Sequence, residues 1–125
     1  MSTVITVGAA LEFVQKMYGG QIQVIETQLT VLQAVNRLIV PQNADRVGLI
    51  ITNDGPLDLP NLGTNPTGLA VITGIYLANS ASVSMTVWQD LVLPSLAWYG
   101  FQNLGSSTVI TTTEVIRTVR TNSLS

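Results

Sequence analysis

Two carboxylates share one short stretch of this chain, Asn53-Asp54-Gly55-Pro56-Leu57-Asp58, with Asn61 and Asn65 close behind. Oxygen-rich loops of this kind can hold calcium, a hard cation that takes carboxylate and carbonyl ligands. The EF-hand spacing and its closing bidentate glutamate are missing. Asp-Gly-Pro is also what a plain turn needs, because Asp bonds its own backbone and Gly accepts a positive φ. A glycosidase acid and nucleophile would require an aromatic-lined cleft and one carboxyl held protonated. Two carboxylates trailing through a turn do not suggest that chemistry. The pair reads as a turn, and neither a metal nor another cofactor is expected.

Trp88, Trp98, Tyr99 and Phe101 are the aromatic handles. Exposed together, they would stack sugars or bases. Trp98 and Tyr99 sit in a strand-like run, however, so at least one must point inward. Trp88, Trp98 and Tyr99 are therefore expected to pack a core or a subunit contact. Arg46 follows Asp45 at the start of an apolar strand, and its partner is Asp45, a carboxylate on a neighbouring strand such as Glu114, or another subunit. Arg117 and Arg120 have opposite strand parity and cannot make one basic patch.

The rest is exclusion. Among 125 residues there is no cysteine, no histidine and one lysine, Lys16. Disulfide scaffolds, zinc clusters and iron–sulfur sites need cysteine, and Ser-His-Asp or Cys-His catalysis needs histidine. No glycine-rich phosphate loop is present. A net charge of −2 with five scattered basic residues argues against nucleic acid as a partner. Nothing in the residue inventory looks like an active site, so an enzyme is not expected.

The elements that must position these residues are mostly strands. Fifteen Val, ten Ile and fifteen Thr crowd a chain whose apolar runs are short and separated by turn signals. Strands are predicted over 21–32, 34–40, 46–53, 74–78, 82–88, 96–102 and 107–119, with a break from Pro60 to Gly68. No helical pattern recurs between them, which excludes a parallel α/β fold. The prediction is all-β: an antiparallel β-sandwich or jelly-roll-like barrel over residues 21–120, with a helical arm over 1–20 and a polar tail over 121–125. The arm is amphipathic between positions 7 and 18. Val7, Leu11, Val14, Met17 and Tyr18 share its apolar face, Thr6 can cap it, and Gly19-Gly20 can end it.

Charge is the odd quantity. Only 10% of residues are charged against 46% hydrophobic, whereas ordinary soluble domains carry about 25% charged residues. Mean hydropathy is positive, yet no run approaches the ~20 apolar residues of a spanning helix, and no basic secretory leader begins the chain. Membrane is therefore not an expected partner. In 107–119 both strand parities carry apolar residues, Ile110 and Ile116 on one and Val109, Val115 and Val119 on the other. Two covered faces and few charges describe a surface hidden by neighbours.

The segment Val40-Pro41-Gln42-Asn43-Ala44-Asp45-Arg46-Val47-Gly48-Leu49-Ile50-Ile51-Thr52-Asn53 carries a P-x-N-x-x-R pattern, then an apolar strand ending in Asn and a turn. Gly74-Ile75-Tyr76-Leu77, the alternating Ser82 to Val87, Trp98-Tyr99 and a last Thr/Val strand closing on Glu114-Val115 follow in order. Over about residues 34–118 this resembles small β-sandwich virion proteins of tailed bacteriophages, of the head-decoration or cement kind. The resemblance implies a non-catalytic subunit, made in the host cytoplasm and located on the capsid surface. It would assemble as a homodimer or homotrimer and bind the major capsid protein to stabilise the shell. A tail, baseplate or fibre component is the nearest alternative, and a carbohydrate-binding module using Trp88, Trp98 or Tyr99 is the alternative from another class.

Overall fold

The computed structural model describes residues 21–65 and 74–118. The predicted helical arm, with Val7, Leu11, Val14, Met17 and Tyr18, and the polar tail lie outside the described residues. Eight strands run in chain order: β1 (Gln21–Leu32), β2 (Arg37–Val40), β3 (Arg46–Gly55), β4 (Leu59–Gly63), β5 (Ile75–Leu77), β6 (Ser82–Thr86), β7 (Trp98–Phe101) and β8 (Ser107–Thr118). They form two four-stranded sheets, ordered β1-β8-β3-β6 and β2-β7-β4-β5, and every ladder is antiparallel. First pairs with last, second with seventh, third with sixth and fourth with fifth. That is the pairing of one long hairpin, and the β3–β8 and β4–β7 ladders fold it over on itself. Among the described residues, no helix is long and apolar enough to cross a membrane.

One core serves both sheets. All eight strands contribute to it, among them Val31, Ile39, Leu49, Ile51, Leu62, Met85 and Ile110. Each fully buried aliphatic side chain contributes about 1.5–3 kcal/mol by leaving water. Alternation sets the facing. In β8, Thr108, Ile110 and Thr112 are buried while Val109, Thr111 and Thr113 are half-covered; in β6, Met85 is buried between exposed Ser84 and half-buried Thr86.

Four departures from the predicted strands have local causes. β2 begins three residues late because Ala34 takes φ 59° and breaks the extended chain. A register shift between Leu38 and Val40 then turns the adjacent Ile39 and Val40 both inward. The stretch from Pro60, predicted as a loop, begins inside β4. Pro60 is tolerated there because it sits in the irregularity between Leu59 and Leu62, outside the β4–β7 pairing that begins at Asn61. β6 stops at Thr86, and the predicted strand residues Val87 and Trp88 enter a helical turn, Val87–Asp90.

Buried polar side chains lock the corners. Asn53 is fully enclosed and uses its whole amide. Its Nδ2 donates to the carbonyls of Leu57 (2.7 Å) and Leu77 (3.1 Å), and its Oδ1 accepts from Gly55 N (2.9 Å) and Thr108 Oγ1 (2.8 Å). Gly55 takes φ 90°, a backbone conformation that strains any other residue, and the Asn79 amide lies against it. Gln102 does similar work between β7 and β8. It donates to the Val31 and Gly105 carbonyls and accepts from the Leu104 and Gly105 N–H groups.

Candidate functional site

Among the described residues, the β6–β7 connection carries the densest run of exposed apolar side chains. Trp88, Leu91 and Val92 are 61%, 73% and 64% exposed, and Val87 and Leu93 flank them, also exposed. Isolated exposed hydrophobics need no explanation, but a contiguous group rimmed by polar residues marks an interaction site.

The connection is built from two turns. Thr86 is extended at φ −134° and its N–H donates to Asp90 Oδ2 at 2.9 Å, which closes the turn Val87–Asp90. Leu91 then reverses the chain at φ 58°, ψ −116°, a region a β-carbon disfavours and in which residues typically store about 1–3 kcal/mol of strain. A 3-10 turn, Leu93–Ser95, follows with Pro94 inside it. The Ser95 N–H and Oγ both reach the Val92 carbonyl, at 2.9 and 2.7 Å. Leucine at position 91 is thus favoured neither by its backbone nor by packing among the described residues.

Four consecutive carbonyls hold this segment from beneath. Trp98 is buried in the core and its Nε1–H donates to Leu93 O at 3.0 Å. Arg46 Nη1 donates to Pro94 O (3.1 Å) and Leu96 O (3.2 Å), and the Asn43 N–H donates to Ser95 O (2.9 Å). The same guanidinium reaches the Pro41 carbonyl through Nη2 at 2.6 Å and Glu114 Oε1 through Nε at 2.8 Å. The Arg46 side chain is 0% exposed and Glu114 13%. A buried charge is tolerated because the pair is closed and nearly every guanidinium donor is used. The P-x-N-x-x-R pattern therefore resolves into a corner. Asn43 Oδ1 accepts from Asp45 N at 2.9 Å, Asn43 O accepts from Arg46 N, and Arg46 fastens that corner to the β6–β7 connection.

Between the connection and the start of β3 lies a hollow of about 430 Å³, lined by Val47, Val87, Trp88, Leu91, Val92 and Arg117 among others. A larger hollow of about 510 Å³ lies on the outer face of the β1-β8-β3-β6 sheet among Glu26, Gln28, Thr52, Asp54, Thr111 and Thr113. It holds two carboxylates and no aromatic group. Among the described residues no three His, Cys, Asp or Glu side chains cluster as a metal site would require.

The structure disperses the predicted site residues. Asp54 stands on the outer sheet face, where Thr111 Oγ1 donates to its carboxylate. Asp58 serves another turn, accepting from the Tyr76 hydroxyl at 2.5 Å and from Asn79 N at 2.8 Å. Those bonds, the tyrosine's foremost, hold the Asp58 carboxyl below its ordinary range and push the Tyr76 hydroxyl up. Each carboxylate is engaged by partners of its own, Asp54 by Thr111 and Asp58 by Tyr76 and Asn79, and the two do not converge. Trp98 belongs to the core and is unavailable as a surface platform; Tyr99, next along β7, is half-buried; Trp88 alone of the three is well exposed. Arg46 takes Glu114 from the partners named for it.

Val87, Leu91, Val92 and Leu93 were not among the predicted interface residues. The available signal was Val87-Trp88-Gln89-Asp90-Leu91-Val92-Leu93-Pro94, an apolar stretch that abandons the strict alternation of Ser82 to Thr86. Comparison with known protein families, with curated proteins and with solved structures finds no match for this chain.

Proposed function

We propose that this chain is a non-enzymatic structural subunit of a tailed-phage virion, a decoration or cement protein that binds the outside of the head and stabilises the shell. The observation that carries the reading is the preorganised apolar platform at 87–93. Its exposed side chains run directly into a turn tethered at four carbonyls, Leu93 to Leu96, and Asp90 closes the turn that carries Val87 and Trp88, so less ordering entropy remains to oppose docking. A repeating shell then presents many copies of the complementary surface, and modest contacts add up when subunits attach as oligomers.

The fold reading is a jelly roll. The strand orders β1-β8-β3-β6 and β2-β7-β4-β5 are those of an eight-stranded rolled hairpin, an architecture shared by viral capsid and lectin domains. The low charge of the chain supports burial against neighbours, and the homo-oligomer and the major capsid protein are the partners proposed. A tail, baseplate or fibre location uses the same platform against a different shell protein. The carbohydrate-binding alternative is weaker, because Trp88 is the one well-exposed aromatic of the three named for it and Trp98 faces the core.

The test is to add the purified protein to undecorated capsid shells and measure occupancy and shell heat stability. Saturable binding with a raised shell melting temperature is expected. No occupancy and no stabilisation would overturn the reading.

A further inference from the structure

The four sheet edges differ in one respect. β2, β5 and β6 are edge strands of 4, 3 and 5 residues, whereas β1 is an edge strand of 12. Natural proteins guard exposed edges by keeping them short, by placing charges or proline on them, or by bulging them away from pairing. β2 is short and begins with Arg37. β1 is guarded in none of these ways. Its sequence QIQVIETQLTVL has one charge, Glu26, and no proline, and its register against β8 runs unbroken from Gln21↔Thr118 to Leu32↔Ser107. Among the described residues β8 lies on one side of β1 and no strand on the other, leaving a row of backbone donors and acceptors about 40 Å long. Val24 and Leu32 are exposed along it.

We infer that β1 pairs antiparallel with β1 of a second copy across a two-fold axis at Thr27, joining two four-stranded sheets into one of eight. An antiparallel two-fold is self-complementary, since each residue that donates to its partner also receives from it. The register follows from the sequence. A two-fold perpendicular to the sheet must keep like faces together, so the axis passes through a residue. Centred on Glu26, the pairing would set two carboxylates directly opposite each other, which is destabilising. Centred on Thr27, it places Glu26 opposite Gln28, Ile25 opposite Leu29, Val24 opposite Thr30 and Ile22 opposite Leu32, which uses nearly the whole strand.

This deepens the homo-oligomer part of the proposed function and rests on that part, but it does not depend on the capsid role. The chain has no native cysteine, so single-cysteine variants of the full chain report the register directly. In the Thr27→Cys variant the two introduced β-carbons are about 5 Å apart, and mild oxidation or a short bismaleimide should convert most of the protein to covalent dimer. In Thr30→Cys the copies are offset six positions, about 20 Å, and should stay monomeric on a denaturing gel. Light scattering of the unmodified chain should give an even number of copies. Gln28→Glu, which opposes Glu26 at two symmetry-related places, should weaken the dimer by roughly threefold to tenfold, and Gln28→Lys should tighten it. A monomer in solution, or an oligomer in which Thr27→Cys does not cross-link, would overturn the inference. A Thr27-linked dimer that fails to bind shells would overturn the capsid role and leave the pairing standing.

Discussion

The two ends of β3 solve the same problem with opposite surfaces. At its start Arg46, and near its end Asn53, are fully buried polar side chains that each tie together backbone from several other segments. Around Asn53 the tethered turns expose Asp54, Pro56, Asn79 and Ser80, and the one large exposed side chain there, Tyr76, has its hydroxyl bonded to Asp58. Around Arg46 the tethered connection exposes Trp88, Leu91 and Val92. The tethering fixes backbone equally well with either surface, so stability alone does not ask for apolar residues at the Arg46 end. The proposed contact with another protein does.

The largest way to break this comparison is at the tethers themselves. Arg46→Ala leaves Glu114 buried without its partner and frees three carbonyls, and should cost about 3–5 kcal/mol in chemical denaturation. Arg46→Lys should recover only part of that, because a point-charge ammonium cannot reproduce the planar fork. Asn53→Ala should cost about 3 kcal/mol by taking the side-chain partner from the buried Leu77 carbonyl and Gly55 N–H. The two ends should then separate. Arg46→Ala should abolish partner binding even where the chain stays folded, whereas Asn53→Ala should bind normally at temperatures where it is folded.

A smaller effect sharpens the contrast. Leu91→Gly relieves a positive φ at an exposed site and should raise stability by about 0.5–1 kcal/mol in thermal melts, yet reduce partner binding. Stability and binding moving in opposite directions would place Leu91 at the contact. If both rise or both fall, the residue is merely structural.

The smallest effect lies at the Asn53 end. The Asp58 carboxyl is depressed in the folded chain, so its contribution is present above the ordinary carboxylate range and fades as pH falls through the lower folded value. Tyr76 is raised, so its contribution holds below the ordinary tyrosine value and fades as pH rises past the folded one. Tyr76→Phe should flatten the stability–pH profile at both extremes and leave partner binding unchanged. A change in binding there would blur the division between the ends.

Much of the fold was legible in the sequence where a strand is long and alternates. β1 spans 21–32 as predicted, and β8 follows its prediction over all the described residues of that stretch, 107–118. The break predicted from Asn53 comes later than expected, since β3 runs on through Asp54 to Gly55 and the chain bends only at Pro56. What eluded sequence reasoning was either non-local or locally ambiguous. Nothing in residues 21–32 says that they pair with 107–118, yet that ladder is the longest among the described residues. β4 was hidden because Pro60, Asn61 and Gly63 read as turn residues, and only the irregular pairing to β5 makes the proline acceptable. Arg46 and its set of partners were legible, but the choice of Glu114 depended on that side chain facing inward from β8. The platform was missed because Val87 and Trp88 continue the alternation of β6 for one step before Asp90 closes the turn on Thr86.

The central claim is that the Arg46 end docks while the Asn53 end faces solvent. Co-sedimentation with undecorated shells tests it most directly, using the unmodified chain, the double variant Leu91→Ser/Val92→Ser, and Asn79→Ala with Ser80→Ala at the opposite end. All three should melt within about 0.5–1 kcal/mol of one another, since the altered groups are exposed. The account predicts saturable binding for the unmodified chain and the Asn79/Ser80 variant, and at least a tenfold loss for the Leu91/Val92 variant. Undiminished binding of the Leu91/Val92 variant would contradict it.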